Sequence, residues 1–184
     1  MSLVKHEILI GVSGGIAAYK IAGLVSQLVQ SGLGVSVVMT TSATKLISPK
    51  TFEALSGRPV RSSLWKSDLI HPHIDLARKA ELFCIAPATA NLIGKAANGI
   101  ADDLLSSIFL AFDGPILMAP AMNSVMWGKP SVQRNVQQLI QDGVFMVGPD
   151  SGHLSCKEQG IGRMSSPDLI YEKIHQIIND LETQ

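Results

Sequence analysis

Five short apolar runs punctuate the chain: "HEILIGV" at residues 6–12, "GVSVVMT" at 34–40, "ELFCIAPA" at 81–88, "GPILMAP" at 114–120 and "GVFMVGP" at 143–149. Each is continuous rather than alternating, the pattern of a strand covered on both faces. A weaker extended piece reads "RPVRSSLW", residues 58–65. Between the runs, apolar residues recur with helical spacing. In "IAAYKIAGLVSQLVQSG", Ile21, Leu24, Val25, Leu28 and Val29 share a face, and Gly32 can end the helix. The stretches "SPKTFEALSG", "HIDLARKA", "TANLIGKAANG", "ADDLLSSIFLAF", "PSVQRNVQQLIQDG" and "SPDLIYEKIHQIINDLE" are further helical patterns. Alternation of strand and helix predicts a three-layer α/β fold, a parallel sheet flanked by helices. No repeat, low-complexity tract or linker divides the chain, so residues 1–184 read as a single domain.

Composition narrows the function. With 46% hydrophobic and 16% charged residues the chain is not disordered. Fifteen basic residues balance fifteen acidic ones, which offers no basic field for nucleic acid. No apolar run reaches the roughly 18 residues of a membrane span, and the N-terminal run is too short and strand-like for a signal peptide. The two cysteines, Cys84 and Cys156, make no disulfide framework, and the simplest location is the cytoplasm.

In a parallel sheet, ligands sit beyond the C-terminal strand ends, and that is where polar turns cluster. "SGG", with Ser13, Gly14 and Gly15, follows the first strand; "TTSAT", Thr40 to Thr44, follows the second; "PATAN", Pro87 to Asn91, ends the third long run; "PAMN" ends the next. Glycines before a helix let backbone N–H groups approach an anion, although neither GxGxxG nor a P-loop is present. Taken singly, the hydroxyls read as helix caps. Together they suit a cofactor with a phosphate and a polar heteroaromatic ring. In "PAMNSVMW", Asn123 ends an apolar strand among Met122, Met126 and Trp127, so its amide needs partners from the protein or from a ligand. His71 and His73 lie in "HPHID" without zinc-ligand spacing, so no metal site is expected. His73 is either a helix-start residue or an acid–base group. "LSCKEQGIGRM", residues 154–164, reads as a glycine-spaced mobile loop carrying Cys156, whereas Cys84, inside a strand, reads as packing.

These stretches — "SGGIAAYK", the histidine of "HPHIDLA" ahead of "APATANLIGKAANGIADDLL", "PAMNSVMW" and "SCKEQGIGRM" — resemble the flavin-containing cysteine decarboxylases over nearly the whole chain. The resemblance implies FMN as cofactor and a Rossmann-like flavoprotein fold. It implies homotrimers, or multiples of trimers, with active sites between subunits. It places Gly14, Gly15 and Ile16 against FMN, with Thr40 and Ser42 along its other side and Thr89, Ala90 and Asn91 at the segment that contacts the flavin. His73 matches the catalytic histidine, Asn123 the residue holding the substrate carboxylate, Met126 a residue near the ring, and Cys156 the cysteine of a loop closing over the substrate. Lys157 stands where the family commonly has glycine, and no fused ligase domain follows, so a separate ligase is expected.

Within the family, Cys156 favours the branch that decarboxylates 4′-phosphopantothenoylcysteine to 4′-phosphopantetheine in coenzyme A synthesis. A cysteine carboxylate has no electron sink beta to it. Oxidation of CH2–SH to a thioaldehyde supplies one: C=S accepts the electrons released with CO2, and the resulting ene-thiolate is then reduced and protonated. The alternatives are a lantibiotic-type peptidyl-cysteine decarboxylase, which stops at the ene-thiol and lacks the loop cysteine, and a non-enzymatic FMN-binding regulatory homologue. A flavin prenyltransferase shares the fold but not "PAMNSVMW".

Overall fold

The computed structural model describes residues 6–65, 70–153, 155 and 158–183. Strands β1 (Glu7–Val12), β2 (Gly34–Met39), β3 (Leu82–Ala88), β4 (Ile116–Pro120) and β5 (Phe145–Met146) form one sheet in the order β2-β1-β3-β4-β5. All four neighbouring pairs are parallel.

Strands β1 to β4 are apolar almost throughout because each lies between two cores. Ile8, Ile10 and Val12 of β1, with Leu82 and Cys84 of β3 and Leu117 and Ala119 of β4, point to one face. Leu9, Phe83, Ile85, Ile116 and Met118 point to the other. The first face is covered by α1 (Ala18–Gln30), α2 (Pro49–Ser56) and α8 (Pro167–Glu182), which bury Ile21, Leu24, Leu28, Phe52, Ile170, Ile174 and Ile178. The second is covered by α3 (Pro72–Lys79), α4 (Ala90–Ala97), α5 (Leu104–Ala111) and α7 (Pro130–Gln141), through Ala77, Leu92, Ile93, Leu105, Ile108, Val136 and Leu139. Completely burying each of the larger side chains contributes about 1.5–3 kcal/mol, so the two cores hold the sheet rigid beneath its loops.

Four features differ from the sequence reading. The stretch 58–65 does not form a strand: beside the edge strand β2 it makes only an isolated bridge, Arg61 to Val38. The fifth strand is only two residues long, with Phe145 exposed at the sheet edge. A short α6 (Ser124–Trp127) follows β4. Most consequential, the glycine-spaced segment near the C-terminus is in large part an antiparallel hairpin, β6 (Asp150–His153) with β7 (Gln159–Arg163). Its glycines have a packing reason. A Cβ on Gly160 would stand 2.9 Å from the Ser124 Cβ, and one on Gly162 would collide with the Met122 carbonyl. Met122 N–H donates to the Gly162 carbonyl at 2.9 Å, so the hairpin docks by backbone on the segment after β4.

Candidate active site

Strands β2 and β3 lie on opposite sides of β1, and the chain reverses its winding between them. Such a switch point opens a crevice beyond the strand ends. Here it is a cleft of about 880 Å³, in the usual size range for small ligands.

Ser13 organises its floor. The side chain is buried; its Oγ donates to the Pro87 carbonyl at 2.6 Å and accepts from Thr89 N–H at 3.0 Å. That hydroxyl joins the ends of β1 and β3 across the switch point. Thr89 in turn caps α4, accepting from Leu92 N–H at 3.4 Å. Over the neighbouring turn, Gly14 touches Ser42 so closely that a Cβ on Gly14 would collide with it. Helix α1 begins at this point with no side-chain cap on Ala17. Among the described residues the amides of Gly14, Ile16 and Ala17 donate to no protein acceptor. Unpaired amides at a helix start attract an anion. The phosphate of a flavin nucleotide therefore fits here, with Thr40 and Ser42 adding hydroxyls from the β2 side. Thr89, Ala90 and Asn91 form the adjoining wall.

Two further side chains on that wall were not singled out from the sequence. Lys95 donates to Asp102 at 2.6 Å and to Asp103 at 3.1 Å, and both Lys95 and Asp103 line the cleft. Burial alone would lower the lysine pKa, but the two aspartates outweigh it and hold the ammonium above its ordinary value. Asp103 is also the cap of α5, in a reciprocal box with Ser106. The "ADD" before an apolar run was the available signal, since a capping residue three places before serine is a helix start.

Asn123 lies at the cleft, but it is not a buried amide ringed by apolar side chains. It is partly exposed, and Met126 is 46% exposed. Its Oδ1 accepts from Met126 N–H at 2.8 Å, making it the cap of α6. The protein thus supplies the acceptor's partner, while Nδ2 donates to nothing among the described residues. Met122 and Trp127 pack against the second core, Met122 also lining the cleft, and Gln133 holds the Trp127 carbonyl at 2.6 Å.

The cleft therefore gathers Gly14, Gly15, Ile16, Thr40, Ser42, Thr89, Ala90, Asn91, Asn123 and Met126, together with His153, Arg163 and Met164 from the hairpin and the residue after it. It does not gather His73. That residue sits in the first turn of α3, 6.5 Å ring to ring from His71, and its buried Nδ1 has no partner. Cys156 and Lys157 lie outside the described residues, although the neighbouring Ser155 lines the cleft. Cys84 is buried, and desolvation raises its thiol pKa to about 12, so it is packing and not a nucleophile. Among the described residues no cluster of His, Cys, Asp and Glu could hold a metal, and no helix is long and apolar enough to cross a membrane.

A family model described as Flavoprotein matches residues 1–179, and the chain belongs to that family. It is 47% identical over 170 residues to the coenzyme A biosynthesis bifunctional protein CoaBC of Bacillus subtilis, covering 91% of this chain and 42% of that protein. It is 44% identical over 169 residues to the same-named protein of Escherichia coli K12, again covering 91% of this chain and 42% of the relative. The chain thus spans less than half the length of the curated relatives it matches. Among solved structures it resembles a cysteine-to-serine mutant of PPC decarboxylase complexed with pantothenoylaminoethenethiol. There the TM-score is 0.84 and the identity 30%, with 95% of this chain and 99% of that one covered. It also resembles the FMN-dependent cysteine decarboxylase SpaF, with a TM-score of 0.80 and 34% identity over 96% of this chain and 99% of that one.

Proposed function

We propose that the chain decarboxylates 4′-phosphopantothenoylcysteine to 4′-phosphopantetheine with FMN as cofactor, as the decarboxylase step of coenzyme A synthesis. The observation that carries this reading is the meeting, in one cleft, of an unpaired amide cradle with an asparagine whose amide donor faces no protein partner. The likeness to CoaBC proteins and to PPC decarboxylase supports the substrate.

Residues Gly14, Ile16 and Ala17 hold the FMN phosphate through their amides, Thr40 and Ser42 flank it, and Thr89, Ala90 and Asn91 lie along the flavin. When bound, FMN supplies the two-electron oxidation of CH2–SH and its later reversal. Asn123 Nδ2 donates to the substrate carboxylate and orients it for loss as CO2. A neutral donor suits that role, because the carboxylate charge leaves during the step. Met126 packs beside the reacting groups. His73 takes the thiol proton during oxidation, and Cys156 returns a proton in the reductive half.

His73 reaches the chemistry from a second copy. Its orphaned Nδ1 and the exposed Trp65 and Ile70 nearby in sequence, at 90% and 88% exposure, support a homotrimer in which one subunit completes the site of the next. With one cysteine sealed in β3, the protein suits the reducing cytoplasm.

The likeness to the peptidyl-cysteine decarboxylase EpiD, with a TM-score of 0.80 and 25% identity, favours a second reading, decarboxylation of a peptide-terminal cysteine. Incubating the FMN-loaded protein with 4′-phosphopantothenoylcysteine and measuring CO2 and product mass tests the two together. Release of CO2 with fully reduced 4′-phosphopantetheine supports the proposal. A product two hydrogens lighter, or turnover only of peptides, overturns it. Cys156→Ser should release CO2 yet accumulate that lighter product.

A further inference from the structure

Besides His153, three cationic side chains line the cleft: Lys20, Lys95 and Arg163. Two of them have an assignment. Lys95 is neutralised by Asp102 and Asp103, and Lys20, in the first turn of α1, has its ammonium 6.0 Å from the centre of the Tyr19 ring. Arg163 has none. It comes from β7, on the hairpin wall, and its side chain makes no ion pair or hydrogen bond among the described residues.

The guanidinium is nonetheless placed. A Cβ on Gly152 would stand 3.0 Å from Arg163 Nη1, 3.2 Å from Cζ and 3.3 Å from Nε. Three such similar distances put the guanidinium directly against the bare backbone of Gly152, where a side chain would press on it. Gly152 pairs with Gly160, and directly opposed residues of two strands share a face. The face is the one toward Ser124, since a Cβ on Gly160 would meet the Ser124 side chain. Arg163 thus presents an unpaired fork of donors on the side of the hairpin turned toward α6 and the cleft.

We propose that Arg163 binds the phosphate of the substrate and selects phosphorylated over unphosphorylated pantothenoylcysteine. The inference rests on the function proposed above. That substrate carries two anions, the carboxylate and the phosphate. A full cation on the carboxylate would stabilise the ground state more than a transition state whose charge is departing, and would oppose the reaction. The phosphate keeps its charge throughout. A guanidinium matches its oxygens in bidentate geometry, and a contact equal in ground and transition states appears in KM and not in kcat.

The test compares the FMN-loaded parent with Arg163→Gln and Arg163→Lys on 4′-phosphopantothenoylcysteine and on pantothenoylcysteine. Titration calorimetry of the products 4′-phosphopantetheine and pantetheine gives a reading independent of turnover. Loss of a charge-assisted contact corresponds to about a ten- to hundredfold change in affinity. Arg163→Gln should raise KM for the phosphorylated substrate by that factor, leave kcat within twofold, and leave the unphosphorylated substrate unaffected. Arg163→Lys should recover part of the loss. Product binding should follow the same pattern. An equal loss on both substrates would overturn the inference and leave the proposed function standing. So would weakened FMN binding, measured by flavin fluorescence, with substrate affinity intact, because Arg163 would then serve the cofactor. A fall in kcat with little change in KM would assign Arg163 to the departing carboxylate and likewise overturn it. If the parent releases CO2 from neither compound, the proposed function fails and this inference fails with it.

Discussion

Asn123 carries two tasks on two atoms. Oδ1 ends α6 by accepting from Met126 N–H, while Nδ2 is left for a ligand. Aspartate separates the tasks, since it caps a helix as well as asparagine does but offers no donor and repels a carboxylate. Asn123→Asp is expected to keep the parental melting temperature and flavin colour while raising KM at least tenfold. Unimpaired turnover would remove the amide donor from the site. Gly14 is a complementary case, in which the absence of an atom matters. A side chain there would push the turn after β1 away from Ser42. Gly14→Ala should therefore weaken FMN binding severalfold, read by fluorescence titration, with far-UV circular dichroism unchanged. Retained affinity would show that the cradle does not depend on that close approach.

Among the elements, those built on an apolar period were legible in advance. The four main strands and seven helices follow from continuous runs such as "EILIGV" and from amphipathic spacing such as Ile21, Leu24 and Leu28, and Gly32 lies just past the end of α1 with φ +88°. Elements held by other means were not. In β6 and β7, glycines stand where side chains would betray a strand, because the hairpin must approach the backbone of Met122. Helix α6 is four residues long, too short to show a period, and is made by its Asn123 cap. The site divided along the same line. Turns at strand ends were readable as polar interruptions, whereas Ser13 as the bridge to Pro87 depends on a residue 74 positions away, and the pairing of Lys95 with Asp102 and Asp103 depends on the fold of the turn between α4 and α5. At the opposite end of the sheet, His6 joins three elements in the same long-range manner. Its Nδ1 lies 2.7 Å from Glu81 and its Nε2 2.9 Å from Glu182 at the end of α8. The hydrogen bond to Glu81, with help from Glu182, raises the His6 pKa above 6.5 even though burial opposes it. A raised folded-state pKa gives stability that is full below 6.5 and fades as pH rises through the higher value. The parent should lose more melting temperature between pH 6 and pH 8 than His6→Gln does, by calorimetry. Parallel curves would show that the clamp is energetically silent.

At the level of the whole molecule, the cleft gathers the proposed flavin- and carboxylate-binding residues but not the proposed acid–base histidine. His73 is held in α3, which packs against α5 and β1 on the second face of the sheet. If assembly completes the site, two impaired variants should repair one another at substrate concentrations well below KM. Co-expressed His73→Asn and Asn123→Asp subunits, mixing at random, should regain about a quarter of parental activity, because a site drawn from two subunits then finds both native residues one time in four. The separately prepared variants should stay at or below about a tenth of parental activity under the same conditions, and light scattering should give the mass of a trimer or a multiple of one. Active monomers would overturn the assembly. Failure of the mixed oligomer to recover would place both residues in one subunit.

The docking of the hairpin has a consequence in time. Glycines let β6 and β7 sit close to Met122 and Ser124, but glycines bury almost no apolar surface, and Ile161, the one large apolar residue of β7, is 51% exposed. The hairpin is attached mainly through a backbone hydrogen bond and the Ser165–Asp150 contact at its base, while β1 and β3 are sealed on both faces. Regions with few buried contacts open far more often than the core. Amide hydrogens of residues 151–153 and 159–162 should exchange with solvent deuterium orders of magnitude faster than those of 8–12 and 82–86. Bound product should slow the hairpin selectively, so that the exchange of a few glycine amides reports how strongly the ligand holds the hairpin closed.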